Sequence, residues 1–134
     1  MAVETQRFTL AAVVVLHFIV SFVHGSVHDS AAVALSGPAM LFVVVVILAG
    51  PLVGFGWMWK NPLAGARVVG VTMAASLLFG LINHFIIAGA DRIDHVAAHW
   101  RPMFTVTAVS LVAIEAMGAV LGLTYHRTLA RRTA

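Results

Sequence analysis

The chain is expected to be an all-α membrane protein, a bundle of four transmembrane helices, and three observations lead there. Of its 134 residues 61% are hydrophobic and only 10% are charged, against roughly 25% charged in soluble domains, and the mean hydropathy is +1.01. Its apolar residues fall into four runs of about 20, long enough for a helix to cross a ~30 Å hydrocarbon core. The basic residues punctuate the ends of those runs, as topology signals do.

The spans are expected at about 8–27, 40–59, 68–88 and 103–125 of a single membrane domain covering 1–134. Each run is continuously apolar rather than alternating, so helices are favoured over strands, and a helix satisfies its own backbone in lipid. No removable leader is expected, because no small-residue cleavage site is followed by a hydrophilic mature domain. Six of the eight basic residues (Arg7, Lys60, Arg67, Arg127, Arg131 and Arg132) fall on one side of such a bundle and two (Arg92 and Arg101) on the other. The excess assigns both termini to the cytoplasm of a multi-pass protein of the plasma (inner) membrane. Trp57 and Trp59 then mark the inner boundary and Trp100 the outer one.

Packing signals agree with a bundle. Gly50 and Gly54, and Gly118 and Gly122, form two G-x-x-x-G pairs that let helices approach closely, either within the chain or at a homodimer seam. Pro51 is expected to kink the second span. The outer connections, "HDSAAVALSGPA" and the 83–102 region, are expected to carry short interfacial helices, and the tail "HRTLARRTA" to fray. The bilayer, a second copy or a larger membrane complex are the expected partners. Nucleic acid is not, despite a net charge of +3, because the positive charge is scattered over helix ends.

The stretch "NHFIIAGADRIDHVAAHW" then stands out, because a greasy chain gathers scarce polar residues there. With the spans threaded, His24, His28, His84, His95 and His99, five of the seven histidines, fall at or near the outer face, with Asp29, Asp91 and Asp94. His17, Ser21, His24 and His28 lie at i, i+4, i+7 and i+11, on one helical stripe. Thr72, Ser76, Gly80 and Asn83, with His84 beside them, make a second stripe, and Ala108, Glu115, Gly118 and Gly122 a third. His24 and His84 each lie sixteen positions from the inner start of their span, hence level near the outer leaflet. His17 and Glu115 are level near mid-bilayer.

"HGSVH" (His24, His28) and "HVAAH" (His95, His99) are two H-x-x-x-H pairs, and residues four apart on a helix can reach one metal ion. The expected metal ligands are therefore His24, His28, His84, His95 and His99, with Asp29, Asp91 or Asp94 as carboxylate partners. Zn, Cu or Fe suit such donors. His24 and His84, level on separate helices, alternatively suit the axial positions of a haem. With no cysteine, thiolate sites, iron–sulfur clusters and c-type haem attachment are excluded, and without H-E-x-x-H so is a zincin protease. The bland alternative is a set of interfacial histidines bonded to water, headgroups or the aspartates.

Glu115 is the most costly single residue, since a mid-membrane carboxylate costs on the order of 2–4 kcal/mol. It is expected to meet His17, as a lock between helices or a proton relay. The preferred function is binding of a transition metal or haem in the outer half of the bundle, for redox or metal handling. Two rivals stand beside it. One is a solute or proton-coupled carrier, or an accessory subunit, without metal. The other is a membrane enzyme using His and Glu as acid–base groups on a lipid-soluble substrate, which requires an apolar pocket open sideways to lipid.

Overall fold

The structure is a computed structural model that describes residues 3–133. Four helices are long and apolar enough to cross a membrane: α1 (Val3–Ser30), α2 (Gly37–Trp57), α3 (Pro62–Ile86) and a last helix, α4 (Arg101–Thr133). All four begin two to six residues before the expected spans, α1 and α4 run past the expected ends, and α2 and α3 stop two residues short, because capping groups rather than hydropathy set where a helix starts and stops. Ser36 caps α2, its hydroxyl accepting from the Ala39 N–H, and Asn61 caps α3, accepting from Ala64. Pro38 and Pro62 follow the caps in the first turn, where a missing N–H costs nothing.

Short connections make neighbours antiparallel, and three cross-bundle contacts fix the ends. Phe8 near the start of α1 meets Trp59 after α2, His126 near the end of α4 donates to the Leu63 carbonyl on α3, and His24 late on α1 meets Thr107 early on α4. One end of the bundle therefore carries His24, His28, His84 and the 87–100 connection. The other carries Arg7, whose guanidinium lies over the Trp59 ring at 4.6 Å, together with Lys60, Arg67 and the basic tail.

Helix α3 lies close against both α4 and the second half of α2, and glycines permit it. A Cβ on Gly122 would stand 2.7 Å from the Gly70 Cα, and one on Gly54 only 2.8 Å from the Val69 backbone nitrogen. Both G-x-x-x-G pairs are thus used within the chain, against α3. Leu10, Val14, Met58, Val69, Met73 and Tyr125 fill the core between α1, α3 and α4. Gly122→Leu is expected to lower unfolding stability by about 3 kcal/mol, the upper part of the usual range for overpacking. Gly56→Leu, with nothing within 4 Å, should leave it unchanged; comparing unfolding midpoints in mild detergent tests both.

Helix α2 stands apart. Its first part, Gly37–Ala49, buries no residue. Over Val43–Ala49 it winds into a wider π-type helix, where the Gly50 N–H reaches back to Val45. This is how the chain absorbs Pro51: the ring has no N–H to give and would clash with the carbonyl four residues back, and a wider turn relieves both. Two further expectations differ. The tail is helical to Thr133, because Leu129 packs on the core and Arg131 and Arg132 oppose the helix dipole. The 31–36 connection holds no helix; it turns at Ala32, whose φ is 53°.

Candidate metal centre

Each helix delivers its share of the site by its own periodicity. On α1 the buried stripe is Leu10, Val14, His17, Ser21, His24 and Val27, with His28 one turn beyond His24 and half-buried. On α3 the last turn, Ile82–Ile86, is a π turn. A wider turn advances each residue by a smaller angle, which carries His84 into line with the buried face of Ser76 rather than toward lipid. Asn83 stays half-buried beside it and returns its amide N–H to the Phe79 carbonyl. On α4 the buried stripe is Phe104, Thr107, Ala108, Leu111, Ile114 and Glu115.

His24, His28 and His84 converge: each offers one ring nitrogen, and those atoms lie within 4.8 Å of one another. Three imidazoles so placed could hold a metal ion. Phe104, fully buried, packs on all three rings at 4.9–5.2 Å between centroids, so the cluster has a dry, apolar side. Val27, Val96 and Phe104, with Trp100, close that end of the bundle.

Hydrogen bonds assign the ring nitrogens. His84 Nδ1 lies 3.1 Å from the Asp91 carbonyl oxygen and 3.2 Å from its carboxylate; both accept only, so Nδ1 carries a proton, and in the neutral ring Nε2 is bare. The Thr107 hydroxyl donates to the Met103 carbonyl at 2.9 Å, as a helical threonine does. Its oxygen then accepts from His24 Nδ1 at 2.7 Å, and His24 Nε2 is bare too. The two Nε2 atoms face each other at 3.3 Å. Two lone pairs at that distance repel, and either a proton on the His84 ring, which turns the contact into a hydrogen bond, or a metal ion between them removes the conflict. His28 Nε2 is 3.1 Å from the Asp91 carboxylate, and its Nδ1 is buried and without a hydrogen-bond partner.

Asp91 thus serves two imidazoles. Its Oδ1 is at ion-pair distance from both but out of line for a well-formed hydrogen bond. Burial by itself pushes the Asp91 carboxyl up; the nitrogens and charge of His28 and His84 outweigh it and hold the group well below the usual carboxylate range. The connection carrying Asp91 is fastened by Arg101, whose guanidinium donates to the Asp94 and Val96 carbonyls at 3.1 Å each.

The other expected ligands lie elsewhere. Asp94 makes a two-pronged pair with Arg92 at 2.5 Å. Asp29 is exposed; directly after His28 on the helix, it is turned about 100° away. His95 and His99 are exposed as well, and the premise that put them together fails, because "HVAAH" is not helical. His95 ends a 3₁₀ turn and donates to the Gly89 carbonyl, Val96 is extended, and His99 lies against Trp100. A haem finds no support either: the His28 and Phe104 rings pack against both His24 and His84, crowding the plane a macrocycle would need.

Deeper, His17 and Glu115 meet: His17 Nε2 is 3.2 Å from Glu115 Oε1 and 3.3 Å from Ser21 Oγ, with both partners of the pair nearly fully buried. Between the two levels runs a cavity of about 710 Å³, bounded by α1, α2 and the α3–α4 face. Thr107 is the site residue that the polar stripes missed. The signal for it was the Phe104–Thr107–Ala108–Leu111 spacing, which puts a hydroxyl on the buried face of α4. The chain matches no protein-family model, no curated protein and no solved structure.

Proposed function

We propose that this chain is a small membrane protein that binds one transition-metal ion through His24 Nε2, His84 Nε2 and His28 Nδ1, for redox or metal handling. The observation that carries the reading is the convergence of three buried or half-buried imidazoles whose ring nitrogens lie within 4.8 Å of one another, with the Nδ1 atoms of His24 and His84 engaged from behind by Thr107 and Asp91. Thr107 and Asp91 occupy the position of the outer partners that orient metal-bound imidazoles and set their tautomer. Three neutral imidazoles without thiolate suit Zn, Cu or Fe. Three protein ligands also leave a tetrahedral ion one position for an outside group. By the excess of basic residues at the opposite end, the cluster belongs in the outer half of the membrane with both termini cytoplasmic.

Elemental analysis of protein purified in detergent without chelator tests this, with one ion per chain expected. A carrier or accessory protein would carry none. Asp91→Asn should weaken zinc binding about 10–100-fold, the usual effect of removing an outer partner, in a competitive titration. Binding should also fall as the pH is lowered, because a proton competes for each imidazole lone pair. The Asp91 carboxyl, held below the ordinary range, stays ionised into more acid solution than a free carboxyl does. Its own contribution to stability is present above the usual carboxylate pKa and is lost only as acid reaches its depressed value.

A further inference from the structure

The cavity between α1 and α2 has two unlike sides. Toward α1, α3 and α4 it carries His24, His28, His84, Ser76 and Glu115; toward α2 it is walled by Met40, Val43, Val44, Ile47 and Leu48. Its volume of about 710 Å³ falls among small-molecule sites, which are mostly ~300–1,000 Å³ and apolar with a few converging polar groups. All of the α2 wall beyond Met40 lies on the π segment Val43–Ala49, and such wide turns recur at functional sites.

Access is from the side. The first part of α2 buries nothing against the bundle, and lining residues on both rims are exposed: Phe22 by 71%, Met40 by 49% and Val44 by 50%. These positions lie within helices long and apolar enough to span a membrane, so the rims face hydrocarbon. At Gly80 an added Cβ would first meet His84 Cδ2 at 3.8 Å and Glu115 Oε2 at 3.9 Å. The absent side chain keeps the polar wall continuous from the histidine cluster to Glu115.

We infer that the cavity binds a neutral, membrane-soluble molecule with an apolar chain and an oxygen-bearing head, an alcohol or carbonyl compound, head toward His24, His84 and Glu115 and chain along α2. Charge selects the neutral head. With no ion bound, the Asp91 carboxylate disfavours an acidic head, and neither carboxyl group is free to pair with an amine, because Asp91 serves His28 and His84 and Glu115 serves His17. A neutral oxygen also suits the position a three-imidazole ion leaves open, and only this last point rests on the metal reading.

The test is photo-crosslinking of the full chain in nanodiscs with a diazirine-bearing long-chain alcohol, with label located by peptide mass spectrometry. Label is expected on the Phe18–Gly25 and Met40–Leu48 faces. In metal-free protein an excess of unlabelled long-chain alcohol should reduce it at least fivefold, and the matched fatty acid should not. Ile47→Trp, which fills the α2 side, should reduce it by a similar factor while leaving zinc stoichiometry unchanged. Label spread evenly over the lipid-facing surface, insensitive to competitor and to Ile47→Trp, overturns the site, and better competition by the fatty acid overturns the neutral head. Saturable labelling in a protein that binds no zinc would refute the metal reading alone; zinc binding without saturable labelling would refute this inference alone.

Discussion

His24→Ala and His84→Ala are each expected to abolish stoichiometric metal binding, weakening zinc affinity by more than about 100-fold, since losing a ligand costs more than losing the outer partner that orients one. The effect is large because the site is rigid. Three rings sit on one buried phenylalanine, Phe104, and Thr107 and Asp91 hold the His24 and His84 rings by their Nδ1 atoms, so the remaining donors are not free to take the vacated place. His95→Ala and His99→Ala, at exposed positions outside the cluster, should leave binding at the wild-type value. Competitive zinc titration on detergent-purified variants measures all four. Wild-type affinity in both His24→Ala and His84→Ala would remove the centre. A loss in His95→Ala or His99→Ala would mean that the 87–100 connection closes onto the ion.

The same substitutions should cost the metal-free protein little. Where both rings are neutral, truncating His24 removes one of two lone pairs facing each other at 3.3 Å, which offsets part of the packing lost against Phe104. Without zinc, His24→Ala should therefore unfold within about 1 kcal/mol of the parent, less than the ~2–5 kcal/mol typical of large-to-alanine changes in a core. Excess zinc should separate the two further, because an ion that binds only the folded chain stabilises it by mass action. Unfolding midpoints with and without zinc measure that separation.

Much of this was legible in the sequence, and what was not has physical causes. The four helices follow from unbroken apolar runs, which in lipid have one economical backbone solution. The pairing of His24 with His84, and of His17 with Glu115, followed from counting positions along helices of known rise, because the spans are nearly parallel rods. Counting fails where the backbone leaves the regular helix. His84 reaches the cluster through a π turn that no residue pattern announces. The "HVAAH" pair looked like a helical ligand pair but falls on a 3₁₀ turn followed by extended chain. Choosing Asp91 over Asp29 and Asp94 needed the path of that connection, which Arg101 fastens through backbone carbonyls that carry no sequence signal.

Glu115→Ala is expected to give the largest loss of stability of any single change in the chain, about 3–5 kcal/mol, the usual cost of stripping one partner from a buried pair. Glu115 and His17 are 3% and 1% exposed and join α1 to α4 at mid-span, with the Ser21 hydroxyl the other group beside His17 Nε2. Replacing both partners by leucine should recover most of the loss, because two apolar groups of similar volume leave nothing buried and unpaired. A double-mutant cycle followed by chemical unfolding in mild detergent reads the coupling directly. A coupling above about 1 kcal/mol identifies a lock between α1 and α4; one near zero would mean that each residue is satisfied by other groups. Proton movement is separable from this, because Glu115→Gln keeps the shape and a hydrogen-bonding amide while ending any proton exchange. If the pair only locks the helices, Glu115→Gln should recover much of the stability lost in Glu115→Ala and leave the number of protons released on zinc binding unchanged. A change in that number at constant zinc stoichiometry would instead connect the deeper pair to the histidine cluster across the space left open at Gly80.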